Sequence, residues 1–163
     1  MNPVVAFVGL GGNVGDAAAT LRAAFGELEA LPSTRLLRAS RLYRTPAWGL
    51  EDQPDFVNAA AMLETALPAR ELLAHLLAIE RAHGRERDAD RRWGPRTLDL
   101  DLLLYGDAVL DEAGLHLPHP RLHERAFALM PLAEIAPKAT IPGVGPVAEA
   151  LAKLPTDSIS VLD

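Results

Sequence analysis

The sequence predicts an α+β domain in which helices pack on a mostly antiparallel sheet, and three features carry that prediction. Residues 4–10, "VVAFVGL", form a continuous apolar run rich in β-branched side chains, the pattern of a buried central strand. Residues 17–31 and 68–84 place apolar side chains at helical spacing. Residues 98–102, Leu-Asp-Leu-Asp-Leu, alternate strictly, as a strand does when one face is in the core and the other is polar.

In chain order, Asp16 suits an N-cap, and the helical stretch after it, "AAATLRAAFGELEAL", stops at Pro32. "TRLLRASRLYRT" (34–45) reads as one strand, "AWGLEDQP" (47–54) as a Pro/Gly-punctuated loop, and "DFVNAAAMLET" (55–65) as a further strand. Pro68 is placed as the first residue of a second helix, whose Leu72, Leu73, Leu76, Leu77, Ile79 and Glu80 share a wide stripe before Gly84 ends it. An arginine loop then leads into the alternating strand. Beyond Gly106 come a hairpin-like stretch, a helix in the second half of 117–137, and a small terminal helix at 147–154. Strand, helix, strand, strand, helix, strand is the ferredoxin-like βαββαβ order. With no repeat, low-complexity tract or linker, 1–163 is expected to be a single domain, long enough to bury roughly 70% of its unfolded surface.

A composition of 49% hydrophobic and 23% charged residues belongs to a globular protein rather than a disordered one. The absence of cysteine excludes disulfides, thiolate nucleophiles and Cys-based zinc sites, and fits a reducing cytoplasm. "MNPVVAFVGLGGNVGD" lacks a basic n-region and its apolar part is broken by glycines, so neither a signal peptide nor a membrane span is expected. The expected setting is cytoplasmic. A net charge of −6 argues against nucleic acid as the main partner. Even so, arginines 81, 85, 87, 91, 92 and 96 outnumber Glu86, Asp88 and Asp90, which makes one locally positive segment suited to an anionic ligand.

Several groups of residues are candidates for chemistry. Gly9, Gly11 and Gly15 miss the G-x-G-x-x-G spacing by one residue and no P-loop Lys-Ser/Thr follows, so "GLGGNVG" reads as a tight strand-to-helix turn and a dinucleotide-binding oxidoreductase is disfavoured. Asp99 and Asp101 project from one strand face about 6.5 Å apart, able to converge on hard cations; alternation alone favours instead the solvated face of a half-exposed sheet. Arginines beside them favour the first reading, because acids for Mg²⁺ next to forked donors for phosphate are what phosphoryl transfer requires. His116, His119 and His123 stand in an irregular Pro-rich stretch without a further soft ligand, and His119 with Arg125 suits phosphate better than zinc. Phe56 and Phe127 fit core packing; the alternative is a flat heterocycle held between them, with Asn58 on the Phe56 face bonding its edge.

The motifs "YRTPAWG", "DQPDFVNAA", "IERAHGRER", "RRWGPRTLDLDLLLYG" and "LPHPRLHERAF" resemble, in order and over nearly the whole chain, the 6-hydroxymethyl-7,8-dihydropterin pyrophosphokinase family of folate biosynthesis. The resemblance implies transfer of a pyrophosphoryl group from ATP to the pterin's hydroxymethyl oxygen, releasing AMP, with two Mg²⁺ ions held by Asp99 and Asp101. It implies that Phe56 and Phe127 sandwich the pterin while Asn58, Thr45, Pro46 and Trp48 bond its edge. It assigns Arg85, Arg96, His119 and Arg125 to the triphosphate, puts Arg87, Arg92 and Trp93 on a loop that closes over the site, and gives Glu80 and backbone near Leu102 a part in placing the nucleotide. Arg85 and Arg96 join the acid pair as the catalytic set. Gly12 stands where the family usually has serine, Leu77 where some members have a polar residue, and Pro120 where some have tyrosine. The partners expected are small molecules alone, for a monomer without nucleic acid or membrane. The competing reading is a ferredoxin-like nucleic-acid-binding module using its arginine loop; the acidic total and the lack of an aromatic strand motif weigh against it.

Overall fold

The computed structural model describes residues 2–46, 54–84 and 97–162. β1 (Val4–Gly12) leads to α1 (Ala17–Glu29), capped by Asp16, whose carboxylate accepts from Ala19 N at 3.1 Å. Next come β2 (Thr34–Ala39), β3 (Leu42–Thr45), β4 (Phe56–Thr65), α2 (Ala69–Ala82) and β5 (Asp99–Tyr105). The hairpin of β6 (Leu110–Glu112) and β7 (Leu115–Leu117) precedes a 3-10 turn at Leu122–Glu124 and α3 (Ala126–Ile135). A small hairpin, β8 (Thr140–Ile141) with β9 (Gly145–Pro146), then α4 (Val147–Ala152) and β10 (Ser160–Leu162), follow.

The main sheet has the order β10-β3-β4-β1-β5, β2 also pairs with β4, and every pairing is antiparallel. The first strand therefore lies inside, flanked by β4 and β5, as the βαββαβ order predicts. Leu21, Leu28, Leu72 and Leu76 of α1 and α2 cover one face against Val8, Leu10, Leu63 and Leu100. Leu129, Leu132 and Val147 of α3 and α4 cover part of the other against Phe7, Ala60 and Leu104. Leu98, Leu100 and Leu102 all enter the α1/α2 core, and the strand's alternation turns Asp99 and Asp101 to the opposite face.

Three expectations change. Residues 34–45 make two strands instead of one, because at Ser40 a side chain enters the ladder: Ser40 N donates to Ala60 O at 2.9 Å, and Ala60 N donates to Ser40 Oγ at 2.8 Å. Arg41 N then turns to the Glu134 carboxylate at 3.2 Å, so the chain leaves the sheet for two residues. Pro68 is the cap of α2 rather than its first residue, with an extended ψ of 152°. Gly9, Gly11 and Gly12 lie within β1, and of the glycines in this stretch only Gly15, with φ of +62°, forms the turn.

Leu100, 1% exposed near the start of β5, should cost about 2–5 kcal/mol when changed to Ala, read by urea denaturation. Val109→Ala, at a side chain 71% exposed, should change stability by less than about 0.5 kcal/mol in the same measurement.

Candidate active site

Cross-strand register assembles one polar patch on the face opposite α1 and α2. Thr45 pairs with Phe56, Asn58 with Gly11, Gly11 with Asp99, and Gly9 with Asp101. Paired residues in an antiparallel sheet share a face, so Thr45, Phe56, Asn58, Gly11, Gly9, Asp99 and Asp101 form a continuous floor across β3, β4, β1 and β5. The two glycines leave its centre without side chains. Asn58 is buried, and its Nδ2 donates to Thr45 Oγ1 at 3.2 Å.

The acid pair sits half-buried at the β5 side of this floor. Behind it, Glu80 of α2 is 1% exposed, and its Oε2 accepts from Leu100 N at 2.7 Å, between the two aspartates. The bond fixes the backbone from which both carboxylates project. Two carboxylates on one strand face are a hard-oxygen donor set of the kind Mg²⁺ uses, with phosphate oxygens and water filling the remaining positions. His116 pairs with Asp111 at 2.7 Å and His123 lies 3.8 Å from Glu124, so two of the three histidines of this stretch are engaged with neighbouring carboxylates.

His119 and the start of α3 wall the floor. His119 N donates to Leu103 O at 3.0 Å, which pins this segment beside β5. Its Nδ1 accepts from Arg121 N at 3.3 Å, so the neutral ring carries its proton on Nε2. Burial pushes the His119 pKa below the ordinary value, the Asp101 charge opposes that, and Arg125 and His116 add to the lowering. The Arg125 guanidinium lies 5.7 Å from the Phe127 ring centroid. Phe127, 37% exposed, is therefore not a core residue, and Phe56 is only partly covered.

The structure thus brings together Thr45, Phe56, Asn58, Asp99 and Asp101 on one face, sets His119 where it feels both Asp101 and Arg125, and stacks Arg125 on Phe127. Pro46 directly follows Thr45 at the end of β3. Glu80 lies behind β5, and the Leu102 side chain is in the α1/α2 core. Trp48, Arg85, Arg87, Arg92, Trp93 and Arg96 lie outside the described residues.

The family described as 7,8-dihydro-6-hydroxymethylpterin-pyrophosphokinase (HPPK) matches residues 7–137, which include every residue of this floor. The chain belongs to this family. It is 49% identical over 154 residues to the 2-amino-4-hydroxy-6-hydroxymethyldihydropteridine pyrophosphokinase of Methylorubrum extorquens, covering 94% of this chain and 96% of that protein. The enzyme of the same name from Pseudomonas aeruginosa is 45% identical, with 96% and 95% covered. Among solved structures, a variant HPPK-DHPS of Plasmodium falciparum shares the fold at a TM-score of 0.73 and 14% identity over 94% of this chain. This chain spans 46% of that longer one. Neither the family nor the relatives support the alternative of a nucleic-acid-binding module.

Some hydrogen bonds that brace this floor carried no mark in the sequence motifs. Asn13 is 1% exposed and its Nδ2 donates to Pro54 O at 3.1 Å, tying the end of β1 to the approach of β4. Glu134 of α3 accepts from Tyr43 OH at 2.5 Å and from Arg41 N at 3.2 Å, clamping the helix that bears Phe127 to the strand that bears Thr45. The pairing spans 91 positions, beyond any local pattern. Glu80 did leave a signal, an acid on the buried stripe of a helix.

Because the unfolded chain protonates His119 first, near the ordinary value of about 6.5, its contribution to stability is full above that pH and is lost as pH falls through the lower folded value. In metal-free protein, melting temperature should fall more steeply from about pH 8 to about pH 5 for the wild type than for His119→Asn. Parallel slopes would contradict a buried neutral imidazole.

Proposed function

We propose that this sheet face aligns the pterin and the ATP triphosphate for transfer across β1. As a member of the HPPK family, the chain transfers pyrophosphate from ATP to 6-hydroxymethyl-7,8-dihydropterin, giving the pterin diphosphate and AMP in folate biosynthesis. ATP is the co-substrate. The observation that carries the alignment is the register Asn58–Gly11–Asp99, which sets a buried amide and a metal-binding acid two strand spacings apart, roughly 10 Å. That distance suits a bicyclic ring at one end and a phosphate at the other.

In this reading Phe56 and Phe127 hold the ring faces, Asn58 with Thr45, Pro46 and Trp48 reads its edge, and Asp99 and Asp101 hold two Mg²⁺ ions. When bound, Mg²⁺ neutralises phosphate charge and orients the reacting oxygens. Arg125 and the Nε2–H of neutral His119 donate to phosphate oxygens, joined by Arg85, Arg87, Arg92, Trp93 and Arg96. The hydroxymethyl oxygen bonds to the β-phosphorus as the bond to the α–β bridging oxygen breaks, and its proton leaves to solvent. Donors fixed before the reaction lower the barrier by positioning and by meeting charge as it develops on AMP, without a dedicated general base. Glu80 contributes by holding β5. In this reading the chain acts as a cytoplasmic monomer on small molecules alone. No helix among the described residues is long and apolar enough to cross a membrane.

Incubation with MgATP and the hydroxymethyl dihydropterin should yield pterin-dependent AMP by chromatography, whereas ADP would indicate transfer of a single phosphoryl group. Asp99→Ala and Asp101→Ala should each lower turnover on the order of a hundredfold or more with the melting temperature retained. Near-normal AMP formation in either variant would remove the acid pair from the mechanism.

A further inference from the structure

Gly11 lies inside a strand, where a glycine forfeits side-chain packing. Its backbone does not call for glycine: the left-handed positions of this stretch begin at Gly15. The reason lies across the strand. A Cβ at position 11 would stand 2.9 Å from Asn58 Oδ1, nearer than Cβ atoms approach real neighbours, and 3.7 Å from Val57 O. The Asn58 carboxamide therefore occupies the volume that any side chain at 11 would take.

Asn58 has little freedom to withdraw. It is 7% exposed, Nδ2 is engaged by Thr45 Oγ1, and no described residue donates to Oδ1. An amide oxygen buried without a donor carries a desolvation penalty that a ligand donor relieves. On the other flank of Gly11 stands Asp99. By contrast, the atoms nearest to a Cβ at Gly9 belong to the flexible Leu103 side chain, from 3.3 Å.

We propose that Gly11 is a positioning residue for the pterin: its missing side chain lets Asn58 lay its carboxamide flat on the floor, with Oδ1 presented to a donor on the edge of a planar heterocycle. The inference deepens the function above and rests on Asn58 serving the pterin. A methyl group at 11 displaces the carboxamide, while the acids and basic side chains that serve the nucleotide are not among the atoms it meets.

The test is a double-mutant cycle on the full chain, with pterin binding titrated in the presence of Mg²⁺ and a non-hydrolysable ATP analogue, and nucleotide binding titrated separately. Gly11→Ala should weaken pterin binding about tenfold or more and change nucleotide affinity by less than about twofold. In the Asn58→Ala background, where no carboxamide remains to displace, Gly11→Ala should change pterin affinity by less than about twofold. Unchanged pterin affinity in Gly11→Ala, an equal loss in both backgrounds, or a parallel loss of nucleotide affinity overturns the proposal. If Gly11→Ala alone does not fold, recovery of folding in the double variant supports the conflict with Asn58, and failure of both overturns it. Undiminished pterin affinity in Asn58→Ala would instead overturn the assignment of Asn58 itself, a result distinct from a null effect at Gly11.

Discussion

β1 is hydrogen-bonded on both sides, from Val4 opposite Thr65 to Gly12 opposite Val57 along β4, and from Ala6 opposite Tyr105 to Gly11 opposite Asp99 along β5. Every other part of the site depends on that double registration. Because side chains alternate across a sheet, a slip of β5 by one residue against β1 would send Asp99 and Asp101 into the core and Leu100 to the surface, which burial of Leu98, Leu100 and Leu102 forbids. The apolar face thus holds the polar one in place. The same constraint joins stability to chemistry, since the leucines that anchor β5 determine where its carboxylates stand.

Helices complete the arrangement unevenly. α1 and α2 cover one face, while α3 and α4 cover only part of the other and leave the floor near Gly11 to the chemistry. Glu80 reaches through the core side to Leu100 N, and Glu134 reaches from α3 to Tyr43 OH and Arg41 N. Buried or half-buried carboxylates of this kind are weak sources of net stability, because desolvation offsets much of what their hydrogen bonds contribute. Their value lies in position: Glu80 sets the height of the aspartates, and Glu134 sets the helix carrying Phe127 relative to the strand carrying Thr45.

The central strand, both long helices, the alternating strand and the candidate acids and rings were legible in the sequence, because each rests on a local period or on a motif spanning a few residues. The break at Ser40–Arg41 was not, since it depends on Ala60 and Glu134, far away in the chain, and no Gly or Pro marks it. β10 could not be read either: a three-residue strand exists only because the exposed edge of β3 offers Ser160, Val161 and Leu162 a partner. The glycines of β1 were misread as a turn, because their spacing resembles turn chemistry and what Gly11 faces, the Asn58 carboxamide, lies on another strand.

By itself, then, the chain's order of apolar periods determined an antiparallel βαββαβ sheet with carboxylates on one strand face, since a strand with leucines at 98, 100 and 102 has only one way to bury them. Tertiary structure alone decided which residues from different strands meet. Asn58, Gly11 and Asp99 are separated by 41 to 88 positions yet lie in one row, because register is set by the combined packing of two cores and not by any local preference.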